Sequence, residues 1–551
     1  MKTRMLGLAL VVALVGCAEP QKIDDGGIVV PTPLELLEAQ GITSGPVAMR
    51  RLTQSQYRQS VRDALGADLE IAGQLEPDLR RDGLLAVGTT HVTVTPLGLE
   101  QYEAMAYRVA TQALDVDHRD ANVPCSPSDP TAADDACADA FVRAVGHRLF
   151  RRALTDEEVA SRVTIAADAA VTLEDFYGGL EFALASLLTS PNFLFRVPTI
   201  GFDEHGAPQL SADAIASRLS YALWNSSPDQ TLLDAAASGA LLTPEGLTTQ
   251  ITRMLASDRL VDGVRALFSD VLAFDQLDDG FRKDGALFPA YNGGLIADAR
   301  EQTLLTIADH ITSGRDYRDL FTSKRTFLTR QLATLYGVPA EVSEAFQPYE
   351  FDEESPRAGL LTHASLLALY AHPGRSSPTL RGEFVRAAFL CQHIPPPPGD
   401  VDFSLVEQPS EELPTLRDKV EMHMSAPACA GCHSMTDPIG LALEQFDAIG
   451  AFRTLENGAV IDPSGQLDGV EYPDAVGLGD ALSGHPELAA CMVSHVYKSV
   501  VGRDATDEET AEIARLEAVF VDANYSLPVL MSAILGSPSV RWTTGPQEVS
   551  P

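Results

Sequence analysis

The sequence predicts a mainly α, multidomain protein, with a long helical body followed by a C-terminal helical module. Three observations lead there. Apolar residues recur at helical rather than strand spacing along most of the chain. Helix start signals stand at the right offsets before those stripes. A length of 551 residues exceeds what one hydrophobic core usually organises. Hydrophobic residues at 45% and charged residues at 21% form an ordinary globular balance, so 35 prolines do not signal bulk disorder.

The elements follow in chain order. In "LTQSQYRQSVRDALG", Thr53 and Gln56 have capping-box spacing, Leu52, Tyr57, Val61 and Leu65 repeat near helical period, and Gly66 is the stop. "RALTDEEVASRV" repeats the logic with Thr155 and Glu158. "LSADAIASRLSYALWNSSPD" starts a helix at Ser211 that must end before Pro228. "LLTPEGLTTQITRML" offers Thr243 as N-cap and Pro244 in the first turn. The apolar stripes, with Tyr221, Leu223 and Trp224, read as helix core.

Breaks fall at Cys125–Cys137, Thr199–Pro208, Phe346–Arg357 and "HIPPPPGDV". The four prolines of the last predict a stiff extended spacer. The resulting organisation is a signal peptide over 1–16, a tether over 17–45, and helical domains over 46–120, 121–200 (with a disulfide loop) and 208–345. A helical segment over 355–400 ends in the proline spacer, and the C-terminal module occupies 401–545.

Lys2 and Arg4 precede a short apolar run, Met5 to Val15, too brief to span a bilayer. "LVGC" then resembles a bacterial lipobox, which implies that Cys17 becomes the acylated first residue. Ala18 follows rather than an inner-membrane retention aspartate, so a Gram-negative cell would place the protein at the outer membrane, on the periplasmic face or the cell surface. The competing reading is a plain secretory signal. The formal charge of −37 repels nucleic acid and anionic headgroups. It suits a basic redox partner, although acidity also serves solubility alone.

Export puts the seven cysteines where disulfides form. Cys125 and Cys137 close a short loop and are natural partners. With Cys17 on lipid and Cys429 and Cys432 in a C-x-x-C-H motif, Cys391 and Cys491 remain as a second possible pair.

"PACAGCHSMTDPIG" is where chemistry concentrates. In a c-type haem site the thiols of Cys429 and Cys432 bond the haem vinyl groups, and His433 becomes the proximal iron ligand. Small Ala430 and Gly431 let the backbone lie against the porphyrin. Zinc needs four ligands and no second C-x-x-C pair exists; a thioredoxin-type pair needs a βαβ setting that is missing. Haem c, one per chain, is therefore the cofactor expected. A second axial ligand is open: Met435 is too close to His433, while Met492, His495 and His423 each compete with an ordinary packing role.

Taken together, these stretches resemble one family. "MRRLTQSQYRQSVRDALG", "FVRAVGHRLFRRALTDEEV", "AIASRLSYALWNSSPDQTLLDAAASGAL", "GLLTHASLLALYAHPGRSSPTLRGEFV", "HMSAPACAGCHSMTDPIGLALEQFDAIGAFR" and the stretch from "IDPSGQLDG" through "YKSVVGRDATDEE" are similar to large exported proteins abundant in planctomycetes and myxobacteria. These are built from consecutive domains of unknown function and end in a cytochrome-c-like C-x-x-C-H region. The resemblance implies a cytochrome-c-like C-terminal module with Cys429, Cys432 and His433 as haem residues. It implies His423 as first choice for the distal position, and places Asp437, Pro438, Gly440, Asp447 and Arg453 in a loop and helix folded around the haem. Here Met435 stands one place before the methionine of the family's "CHKLMDP", which argues against it as a ligand. The function expected is electron relay by a lipid-anchored cytochrome. The rivals are a haem-linked oxidoreductase acting on a sugar or other small molecule, and a polysaccharide-binding or adhesion scaffold. Acid pairs such as Asp156–Glu157 and Glu353–Glu354 read as solvated helix starts or turns rather than catalytic groups.

Overall fold

The computed structural model describes residues 37–278, 280–339, 343–395, 412–424 and 427–546. The signal segment, Cys17, most of the tether, the four prolines' end of the spacer and the His423 side chain lie outside the described residues. Helices dominate, and among the described residues the strands form five antiparallel pairs only two to four residues long. No described helix is long and apolar enough to cross a membrane.

Local chemistry sets the helix ends. Thr53 and Thr155 both close capping boxes, with Gln56 and Glu158, at the starts of Gln54–Leu65 and Asp156–Leu173. Ser211 caps Ala212–Leu223, and Thr243 caps Pro244–Leu255 with the proline in the first turn. The expected breaks are short connections: Ile200–Phe202 pairs with Pro208–Leu210 as a hairpin, and Gln347–Glu350 pairs with Arg325–Leu328. Both disulfides form, Cys125–Cys137 and Cys391–Cys491. The second closes a loop of 100 residues, for which chain entropy alone gives about 4.7 kcal/mol.

Three apolar clusters make the interior. One holds the N-terminal helices around Tyr57, Tyr102, Phe141 and Phe193. A small one surrounds Leu332, Tyr336 and Phe351. The largest joins Leu219 and Trp224 to Phe384, Phe446, Leu478, Val496 and Ile534. The C-terminal third thus shares its core with the middle of the chain. Buried arginines tie these parts together through carbonyl oxygens. Arg50 bonds Ser499 O at 3.1 Å and Val500 O at 3.0 Å, the end of helix Pro486–Val501. Arg151 bonds Asn192 O and Phe195 O, each at 2.7 Å. Arg381 bonds Leu443 O, Phe446 O, Leu367 O and Asp447 O at 2.7–3.0 Å.

The ends of the described chain meet on Glu509. Its buried carboxylate accepts from Gly45 N at 2.9 Å, Ser539 Oγ at 2.9 Å and both Arg503 Nη atoms at 2.6 and 2.9 Å. Burial opposes its ionisation, but the Arg503 bonds and charge outweigh burial and hold the carboxyl down to about 2. A depressed folded pKa contributes stability above the ordinary 4.5 and loses it as pH falls toward 2. Glu509→Gln should therefore lower stability at pH 7 and make little difference near pH 2. Urea unfolding at both pH values checks this; an equal loss at both would remove the charge pair as the cause.

The helix Pro378–Leu390 lies against Pro427–Leu441, which carries the C-x-x-C-H motif. A glycine on each permits the approach. A Cβ on Gly382 would stand 1.9 Å from Thr436 O, and one on Gly440 would stand 1.8 Å from Pro378 O. Gly382→Ala should cost about 1–3 kcal/mol by forcing backbone apart. An unchanged urea midpoint would mean that the two helices do not touch there.

Candidate functional site

Cys429, Cys432 and His433 lie on the helix Pro427–Leu441 at i, i+3 and i+4, which is one helix face. Both cysteines are half-buried free thiols. The other four described cysteines are spent in disulfides. Gly431 is exposed, and a Cβ there would meet nothing within 4 Å. The helix continues to Leu441 although Pro438 removes one donor from its last turn.

His433 is held by a buried acid. Its Nδ1 is 2.6 Å from Asp437 Oδ2, one helical turn on. The Asp437 side chain is fully buried. Its other oxygen accepts from Thr379 Oγ1 at 2.8 Å and Thr436 Oγ1 at 3.1 Å. With a carboxylate at Nδ1 that nitrogen carries the proton, which assigns metal-binding capacity to Nε2. The Asp437 hydrogen bond raises the His433 pKa, against a smaller opposing effect of burial. Arg386 fixes the helix from beside it. Its Nε donates to Met435 O at 2.6 Å, and its Nη2 pairs with Asp468 at 2.8 Å.

The alternatives for the motif fare differently in this geometry. The thiols are not joined to each other. The preceding element is the helix Leu416–Met424, not a strand, so the thioredoxin-type setting is absent. Among the described residues, the group of three ligand atoms within 4.8 Å of one another is Cys391, Cys491 and His495, not the motif. Two sulfurs of that group are already bonded to each other. A zinc site needs converging ligands, whereas haem c attachment uses two thiols two residues apart and the histidine that follows, on one segment. The motif's donor set fits a covalently held haem.

The distal candidates are placed unequally. Met492 is 1% exposed within the main core. His495 is buried, with Nε2 3.0 Å from Ala388 O and against the Cys391–Cys491 disulfide. Burial pushes its imidazole down to about 4. Packing accounts for Met492, whereas His495 Nδ1 is buried without a hydrogen-bond partner among the described residues. Met435 is partly exposed. His423 sits on Leu416–Met424 with its side chain outside the described residues. The elements expected to be a loop and then a helix are reversed. "DPIG" continues the motif helix, and "FDAIGAFR" is a turn in which Asp447 Oδ1 accepts from Ile449 N and Ala451 N, each at 2.9 Å. Arg453 pairs with buried Glu444 at 3.1 Å.

Asp437 as the partner of His433, and Thr379 and Arg386 from a neighbouring helix, were not singled out from sequence. The i, i+4 spacing of His433 and Asp437 is a readable signal once the segment is known to be helical. Thr379 and Arg386 have none, because they arrive by tertiary packing.

Asp437→Asn should lower the His433 pKa. A raised folded pKa stabilises the protein below the ordinary histidine range and loses that contribution as pH rises through it. The substitution should therefore cost stability at pH 5.5 and less at pH 9. NMR titration of the imidazole, with urea unfolding at both pH values, checks both signs; an unmoved titration would break the pairing.

Four family matches run consecutively along the chain, each described as a protein of unknown function: PSD3 (DUF1587) over 50–115, PSD5 (DUF1595) over 137–197, PSD4 (DUF1592) over 210–338 and PSCyt3 (DUF1588) over 357–456. No curated protein and no solved structure matches the chain. The helix pair 378–390 and 427–441, with Cys429, Cys432, His433 and Asp437, falls wholly inside the PSCyt3 region. The chain thus carries four consecutive regions that match families of unknown function, with its candidate site in the last of the four.

Proposed function

We propose that this protein is an exported electron carrier that holds one haem c. Cys429 and Cys432 would bind it through thioethers and His433 Nε2 would ligate its iron. The observation that carries the reading is the motif helix itself. Two unpaired thiols and a histidine share its face, and the histidine is locked at Nδ1 by a buried carboxylate. The name of the PSCyt3 region points to the same cytochrome-like character. Bound there, the group would supply one-electron exchange. The chain's own residues do the rest. Asp437 holds the imidazole's rotation and keeps the Nδ1 proton in place. Thr379 and Thr436 hold the carboxylate's other oxygen in place. Gly382 and Gly440 let the motif helix lie directly against its neighbour.

Anchoring by an acylated Cys17 would keep this module at the outer membrane, and a surface carrying −37 favours a basic partner. Salt should then slow electron exchange with a basic donor protein.

The test is maturation in a host that attaches haem c, followed by a pyridine haemochrome assay and a haem-stained denaturing gel. One covalent haem per chain is expected, and none in Cys429→Ser/Cys432→Ser. Absence of covalent haem, with a control cytochrome matured in the same cells, would overturn the reading.

A further inference from the structure

Buried arginines recur in this fold, and nearly all are spent on carbonyl oxygens or carboxylates. Half-buried Arg196 is not. It is the second residue of the strand Phe195–Arg196, paired across to Arg50. Its guanidinium lies 5.0 Å over the Tyr221 ring. Among the described residues it has no hydrogen-bonded acceptor and no carboxylate partner, and Arg50, Arg151 and Arg218 are its charged neighbours. Burial pushes it down to about 10, against the pull of Tyr221 and with Arg151 adding to the push. In a chain of net charge −37 an acid could have met it, and none does.

Arg196 faces a groove of about 1260 Å³ between the N-terminal helices and the middle of the chain. Most of the groove's acids are engaged elsewhere, while Asp262 has no hydrogen-bond or ion-pair partner among the described residues. Asp270 accepts from Arg80 and from Leu85 N and Ala86 N. Asp78 accepts from Arg51 and Gln54 N. Asp275 pairs with Arg80, and Glu76 accepts from Thr95. The walls also present uncharged donors and acceptors. The amides of Gln74 and Gln101 have no protein partner among the described residues, and Asn225 bonds only Ser55. At the mouth, exposed Arg300 has only a 3.4 Å contact to Ser269 Oγ.

We propose that this groove binds an oligosaccharide bearing a carboxylate or sulfate, with the oxyanion on Arg196 and the sugar hydroxyls on the amide-lined walls. The forked guanidinium presents parallel donors to a planar oxyanion. Amides both donate and accept, as hydroxyls require. The volume takes more than one sugar ring. The net negative charge of the chain disfavours a long polyanion such as nucleic acid, so a short ligand of low charge fits best. The site is separate from the motif helix and does not depend on haem.

The test is isothermal titration of the full-length protein at low salt with trigalacturonate, a sulfated galactose trisaccharide, neutral galactotriose and inorganic sulfate. Expected is saturable binding of trigalacturonate, the sulfated trisaccharide or both, and at least tenfold weaker binding of galactotriose and sulfate. Arg196→Gln should weaken binding at least tenfold while the Tm stays nearly unchanged, since no hydrogen bond or ion pair is lost; a merely structural arginine would lower the Tm instead. Arg300→Gln, at an exposed position, should weaken binding two- to fivefold and decides the matter if Arg196→Gln fails to fold. Equal binding of galactotriose, binding of sulfate alone, no binding at all, or affinity unchanged in the folded variants would overturn the proposal. The relative affinities of the two acidic probes identify which oxyanion the site takes.

Discussion

The structure depends on buried guanidinium groups that satisfy main-chain carbonyls. A helical protein without extended sheets buries many helix ends, and each end leaves up to four carbonyl oxygens without an intrahelical partner. Here Arg50 closes the end of Pro486–Val501, Arg151 gathers the turn around Asn192 and Phe195, and Arg357 joins Thr362 O to Gly450 O. Arg381 collects three carbonyls just beyond the motif helix and Leu367 O from the helix Ala364–Leu369. Each fork spans two or more segments distant in sequence. Lysine could not replace these groups, because an ammonium lacks the planar, multi-donor reach.

The same device positions the candidate site. Arg381 and Arg386 project from Pro378–Leu390 and grip the motif helix at its far end and at Met435 O. Gly382 and Gly440 let the two backbones touch, so the motif helix cannot shift without breaking close contacts. Asp437 then occupies the buried side of that helix, where its oxygens are satisfied by His433, Thr379 and Thr436. One face of the helix is thereby rigid and polar within, while the face with Cys429 and Cys432 stays partly accessible. A rigid second shell is what a metal-ligating histidine requires if its orientation is to be set before the metal arrives.

Charge is distributed unevenly over this framework. The chain as a whole is strongly acidic, yet its interior collects cations. Where guanidinium groups meet carbonyls they serve architecture, as at Arg381. Where one meets an acid, as Arg503 meets Glu509, it locks the two chain ends together. Arg196 meets neither, and the difference is visible only because its neighbours are so fully partnered.

The sequence by itself determined the helical class, the helix starts at Thr53, Thr155, Ser211 and Thr243, the shortness of the connections and the identity of the motif residues. These are local properties: a cap and its partner lie three residues apart, and apolar period is read within one window. The four consecutive family regions were legible for the same reason, as contiguous strings. The tertiary structure alone decided the rest. That "DPIG" extends a helix rather than forming a loop depends on Pro378–Leu390 packing alongside it. That Asp437 serves His433 depends on burial, which no spacing rule supplies. That Arg196 stands unpaired while Arg50, its strand partner, is saturated depends on where Ser499 and Val500 arrive from some 450 residues away. Contacts of that separation are set by the sum of many packing choices, and no short stretch of sequence encodes them.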